Sequence, residues 1–283
     1  MDNRPIGFFD SGLGGLTCIP YLMRELPEEK IIYFGDTART PYGSKATRTI
    51  RNFSMEITDF LVKSDVKMIV IACNTVSATC VDDLQERFPD IPIIGIIEPT
   101  ARYVATYRGV KDKVGVIGTK VTIASHAYKN KIQKYNNRIQ ITEAPCPAFV
   151  PLIEEGIIDN EIMDLTIRYY MDSFVRENNL DAVVLGCTHY PLIKKNNERL
   201  YPQLDIINPS DIVTGRIREV LDDRDGFASG SDFTNVFYAS DLSENFINMI
   251  DNIFKDEEKK VKFLNFDLER KSADELLRTD KLS

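Results

Sequence analysis

Short, dense apolar runs alternate along this chain with longer stretches in which apolar residues recur every three or four positions. Pro5–Phe9, Ile31–Phe34, Val66–Ala72, Ile91–Ile97, Val114–Ile117, Ile139–Thr142, Ala182–Gly186 and Asp205–Ile207 are runs rich in Val and Ile. Such runs predict buried strands. Between them, segments such as Thr47–Lys63 and Asp159–Asn178 carry their apolar residues at helical spacing. Strands alternating with helices predict an α/β fold of parallel sheets with helices on both faces.

The pattern repeats. IGFFDSGLGGLT at Ile6–Thr17 aligns with VGVIGTKVTIAS at Val114–Ser125, and the strand at Ile31–Phe34 has its counterpart at Ile139–Thr142. IVIACNT at Ile69–Thr75 aligns with VVLGCTH at Val183–His189, and IIEP at Ile96–Pro99 with IINP at Ile206–Pro209. General α/β likeness explains the strands. It does not explain a cysteine at the end of the same strand in both halves. The expected fold is therefore two similar doubly wound parallel-sheet domains related by pseudo-symmetry, with the site in the cleft between them, beyond the carboxyl ends of the strands.

After Pro209 come a helical stretch (Asp211–Asp222), a polar turn (Asp223–Asp232), a strand (Val236–Ala239) and a helix (Ser240–Phe254). This exceeds what the second half needs and is expected to return to the first domain. The expected division is residues 1–97 with 210–268, then 98–209, with 269–283 as a surface helix or tail.

The composition is that of an ordinary globular protein, 43% hydrophobic and 28% charged. A net charge of −8 gives no basic footprint for nucleic acid. No apolar run approaches the ~20 residues of a membrane span, and no secretory segment precedes the first strand. Five cysteines, an odd number, do not suggest a disulfide framework in a chain of 283 residues. Reduced thiols and a cytoplasmic location are expected. Neither CxxC nor HExxH occurs, and His126 and His189 are the two histidines, so no metal site is expected.

Cys73 and Cys187 each end an apolar run and are followed by polar residues, Asn74-Thr75 and Thr188-His189. At a helix N-terminus the helix dipole would lower a thiol pKa from ~8.5 and favour the thiolate. Cys18, Cys80 and Cys146 lack such a setting and read as core residues. Two duplicated halves facing each other would place one thiol on each side of a shared cleft. Inversion of a carbon centre needs that arrangement, with one base removing a proton and an acid on the opposite face returning one. The segment Asp10–Gly15 is glycine-rich but is no Walker A loop, since no Gly-Lys-Ser/Thr follows. It suits an amide-rich rim for a small carboxylate. Pro41-Tyr42-Gly43 reads locally as a turn.

FDSGLGGLT, TPYGSK, IACNT, GVIGT and LGCTHYPL, in this order, resemble the glutamate racemase family within the aspartate/glutamate racemases. The resemblance runs from about Ile6 to Asp211. It implies that Cys73 and Cys187 are two acid/base thiols, each serving one enantiomer, and that Asp10 and His189 assist them. It further implies substrate contacts from Asp10, Ser11, Tyr42, Gly43, Asn74, Thr75, Thr119, Thr122, Thr188 and His189, with Glu154 acting near the second cysteine. The family uses no pyridoxal phosphate, metal or nucleotide, supplies D-glutamate to peptidoglycan, and often forms homodimers. An aspartate racemase or related two-cysteine racemase is the nearest alternative. A cysteine hydrolase using Cys187 and His189 would need only one of the thiols. A two-lobed amino-acid binding module would need neither.

Overall fold

The computed structural model describes residues 1–106, 113–230, 233–254 and 259–266. Its strands, in chain order, are β1 (Ile6–Asp10), β2 (Ile31–Gly35), β3 (Met68–Ile71), β4 (Ile93–Gly95), β5 (Lys113–Gly118), β6 (Gln140–Pro145), β7 (Ala182–Gly186), β8 (Asp205–Ile207), β9 (Asn235–Ala239) and β10 (Lys259–Phe263). The helices of the first half are α1 (Ile19–Glu25), α2 (Thr47–Lys63), α3 (Asn74–Thr79), α4 (Val81–Arg87) and α5 (Ile97–Thr106). Those of the second half are α6 (Lys120–Ala124), α7 (Ala127–Tyr135), α8 (Phe149–Glu154), α9 (Glu161–Asn178) and α10 (Lys194–Leu200), followed by α11 (Pro209–Asp223) and α12 (Glu244–Ile253).

The strands form two sheets, ordered β10-β9-β2-β1-β3-β4 and β6-β5-β7-β8, and every pairing is parallel. The second order repeats the inner part of the first, with β5, β6, β7 and β8 standing where β1, β2, β3 and β4 stand. The duplication read from the sequence is thus carried by the topology. Ile6 pairs with both Ile31 and Met68, and Val114 pairs with Ile141 and Ala182. The central strands are buried along their whole length. Burial on both faces is why they read as unbroken apolar runs rather than alternating ones.

Helices cover the faces by the periodicity that predicted them. α2 buries Ile50, Ser54, Ile57, Thr58 and Leu61 at intervals of three and four. α9 buries Met163, Ile167, Met171 and Val175. Asn160 caps α9, its side chain accepting from Met163 N–H, and the helix ends at Asn179 in the left-handed region, φ 47°.

One face of each sheet packs into a common core. Phe8 and Val70 of the first sheet join Val116 and Val184 of the second through residues of α1, α5, α7 and α11. The outer face of the first sheet packs on α2 and that of the second on α8 and α9. The layers run helix, sheet, shared helices, sheet, helix. The strand ends that carry Asp10, Cys73 and Cys187 meet at one edge of this stack.

Three local expectations change. The run Ile91–Ile97 is a strand only over Ile93–Gly95, because Ile97 opens α5. The last helix starts at Glu244, capped by Ser243, rather than at Ser240. The strand β10 was not anticipated. It adds to the far edge of the first sheet beside β9, so residues of the returning segment complete that sheet. The expected tail, residues 269–283, lies outside the described residues.

Candidate active site

Ser11, Thr40, Pro41, Tyr42, Gly43, Cys73, Asn74, Thr75, Thr119, Val150, Cys187, Thr188 and His189 enclose one small cavity between the sheets, about 20 Å³ in volume. That is about enough for one water molecule, so the cleft is closed. Both thiols of the duplicated motif face it. Most of the residues singled out in the sequence converge here, and three stand directly behind the wall. Asp10 receives the Thr188 hydroxyl at 3.1 Å, Thr122 lies 3.0 Å from Thr119 (Oγ1 to Oγ1), and Glu154 Oε1 lies 3.0 Å from His189 Nε2. Thr40, Pro41 and Val150 were not singled out. The first two stand beside Tyr42 in the TPYG motif, whereas an apolar wall residue such as Val150 leaves no chemical mark in a sequence.

The two thiols have different surroundings. Cys73 caps α3 and its S–H donates to Ser11 Oγ at 3.6 Å. Burial pushes this thiol up to about 12, reinforced by the nearby Asp10 carboxylate; the Val76 N–H and the Ser11 hydroxyl only partly offset this. The helix-dipole effect expected from the sequence is therefore outweighed, because α3 is six residues long and the thiol is buried. Cys187 is followed by Thr188, His189 and a 3-10 turn, Tyr190–Ile193, rather than directly by an α-helix. Its sulfur lies 3.9 Å from His189 Nδ1. Burial alone would lower the His189 pKa, but hydrogen bonds to Cys187 and Glu154 outweigh it and raise it to about 10. Asp10 is fully buried, and burial raises its pKa against the His189 charge and donors from Gly12, Thr188 and Gly15.

Tyr42 lines the cavity, yet its phenol points away and donates to the buried Asp36 carboxylate, which also accepts from Arg39 and Ser240. What Tyr42 offers the cavity is its ring and backbone. Glycines are required where the two halves nearly touch. A Cβ on Gly14 would sit 2.6 Å from both His189 Nδ1 and Thr188 Oγ1, and one on Gly43 would collide with Thr119. Thr75 meets Thr119 at 3.0 Å and Thr122 at 3.3 Å across the same seam.

Among the described residues, no Arg or Lys lines the cavity. Buried polar groups nonetheless lack partners among the described residues: Thr40 Oγ1 and Asn74 Nδ2 have none. An unmet buried donor is costly, and a polar ligand would satisfy it. Among the described residues, no group of three or more His, Cys, Asp or Glu could hold a metal ion, and no helix is long and apolar enough to cross a membrane. The arrangement suits proton transfer at a small polar substrate enclosed between two thiols and held by hydroxyls and amides.

The model of the Asp/Glu/hydantoin racemase family matches residues 18–216. A glutamate racemase from Geobacter metallireducens is 42% identical over 251 residues, covering 88% of this chain and 92% of its own. The solved glutamate racemase from Francisella tularensis in complex with D-glutamate superposes with a TM-score of 0.86 at 38% identity, covering 94% of this chain and 98% of its own. That from Thermus thermophilus in complex with β-chloro-D-alanine gives 0.82 at 34% identity, covering 94% and 99%.

Proposed function

The chain belongs to the Asp/Glu/hydantoin racemase family, and from that premise we propose that it interconverts L- and D-glutamate through two thiols on opposite sides of the cleft. The observation that carries this reading is Cys73 and Cys187 lining one cavity whose polar wall is made of hydroxyls, amides and one histidine.

Cys73 takes the α-proton from one enantiomer, and Cys187 returns a proton to the other face of the planar carbanion. For the reverse reaction the roles exchange. A thiol buried as Cys73 is must be helped to ionise, and the α-ammonium of the bound amino acid brings a positive charge to it. Asp10 stands behind the first thiol's side of the cleft, while His189, held by Glu154, partners the second thiol. Ser11, Asn74, Thr75, Thr119 and Thr188 bind the carboxylates, aided by the Tyr42-Gly43 backbone. These preorganised donors also stabilise charge that develops in the transition state. The chain works in the cytoplasm as a homodimer and supplies D-glutamate for peptidoglycan.

Purified protein incubated separately with L-glutamate, D-glutamate and both aspartates, with no cofactor added, tests this. Each glutamate enantiomer should decay toward the racemate, followed by circular dichroism, with aspartate turning over far more slowly. Unchanged optical activity with both glutamates would reject the activity. In heavy water the product enantiomer should carry solvent deuterium, while recovered substrate gains little early on. Quantitative carriage of the substrate's own proton would reject the two-base route.

A further inference from the structure

Beside Cys73, one hydrogen bond crosses between the halves of the molecule without involving any residue assigned above on the second half. The phenol of Tyr128, on α7, donates to Asn74 Oδ1, on α3, at 2.6 Å. Tyr128 is 1% exposed and Asn74 2%, so the bond is shielded from water. Asn74 lines the cavity, and its Nδ2 is buried with no hydrogen-bond partner among the described residues.

An asparagine amide has one accepting and one donating end, and little in the planar group itself fixes which faces a ligand. With its oxygen holding the Tyr128 hydroxyl, the part of the amide left without a partner among the described residues is Nδ2, a donor. We infer that Tyr128 is a positioning residue that locks Asn74 with its amide N–H groups toward a substrate carboxylate. The inference rests on the glutamate-binding reading of this cleft. It adds a sign to Asn74: the residue acts as a donor to an anion, not as an acceptor for the substrate ammonium. Tyr128 belongs to the second half and Asn74 to the first, so the lock spans the two halves of the molecule.

Two variants test this, each read by calorimetric binding of D-glutamate alongside turnover. Tyr128→Phe removes the lock and should weaken binding and raise KM by roughly three- to ten-fold, the scale of one net hydrogen bond, with kcat changed less than KM. In an Asn74→Ala background the same substitution should change neither by more than about two-fold, which a merely structural role would not produce. Asn74→Asp keeps the shape and the acceptor for Tyr128 but replaces the donor by a second acceptor. It should bind glutamate more weakly than Asn74→Ala. An equal penalty for Tyr128→Phe in both backgrounds, or Asn74→Asp binding better than Asn74→Ala, would overturn the assignment. Wild-type protein that binds glutamate without racemising it would count against the reaction alone and leave these comparisons in force.

Discussion

Glu154 Oε1 lies 3.0 Å from His189 Nε2, on the side of the imidazole away from Cys187. The ring is held from both sides by groups that favour its charged form. With its pKa raised from 6.5 to about 10, His189 contributes stability that is fully present below 6.5 and fades as pH rises through about 10. Glu154→Gln removes one of those partners and lowers the imidazolium pKa. The alkaline limb of the kcat/KM profile should move to lower pH, and the alkaline loss of thermal stability should begin earlier. An alkaline limb that stays in place would show that His189 ionisation does not control the rate.

Cys73→Ser and Cys187→Ser should each reduce racemisation by at least ~10³-fold while leaving the far-ultraviolet circular dichroism unchanged. A serine hydroxyl nearly matches the volume of the thiol but is a far weaker acid and a far poorer proton carrier at neutral pH. Both variants should still bind glutamate in calorimetry. Substantial turnover by either would remove the two-thiol mechanism.

Gly14→Ala should hinder closure, because the added methyl would meet His189 and Thr188 at 2.6 Å. We expect kcat/KM to fall by at least ~10-fold, and small-angle scattering in saturating glutamate to give a larger radius than the wild type. Wild-type kinetics in this variant would mean that the two halves need not approach so closely.

Binding without a cationic side chain should tolerate salt. Exposed ion pairs are screened over a Debye length of ~8 Å at physiological ionic strength, whereas enclosed hydroxyl and amide donors are not. KM should move by less than about two-fold between low and moderate salt. Thr75→Ala should raise it by roughly ten-fold or more, since a hydrogen bond to a charged group is worth about 1.5–3 kcal/mol. A steep salt dependence would point to a charged side chain entering the site on substrate binding.

The buried strands could be read from the chain because apolar residues on both faces leave continuous Val and Ile runs, and α2 because its apolar spacing is unbroken. β10 was hidden because Lys259, Lys260 and Lys262 give it the polarity of a surface loop, as suits an edge strand. The cysteines and the hydroxyl residues beside them stood out through repetition and motif. The place of Glu154 near the second cysteine came only through the family resemblance, since 35 positions separate it from His189 and the packing of α8 against the turn after β7 brings them together. The orientation of the Tyr42 phenol was invisible, because it depends on an Asp36 carboxylate buried behind it. The ionisation of Cys73 ran against expectation because sequence reveals a neighbouring helix start but not the depth of burial.

The polypeptide passes from the first sheet to the second between β4 and β5 and passes back between β8 and β9. A body tethered to another at two points can swing about the line through them but cannot twist freely or drift apart. The contacts of Gly14 with Thr188, Thr75 with Thr119, and Tyr128 with Asn74 therefore belong to one mechanical coordinate. The doubled linkage thus ties the two walls of a cleft of about 20 Å³, Cys73 on one and Cys187 on the other, to the same pair of chain crossings.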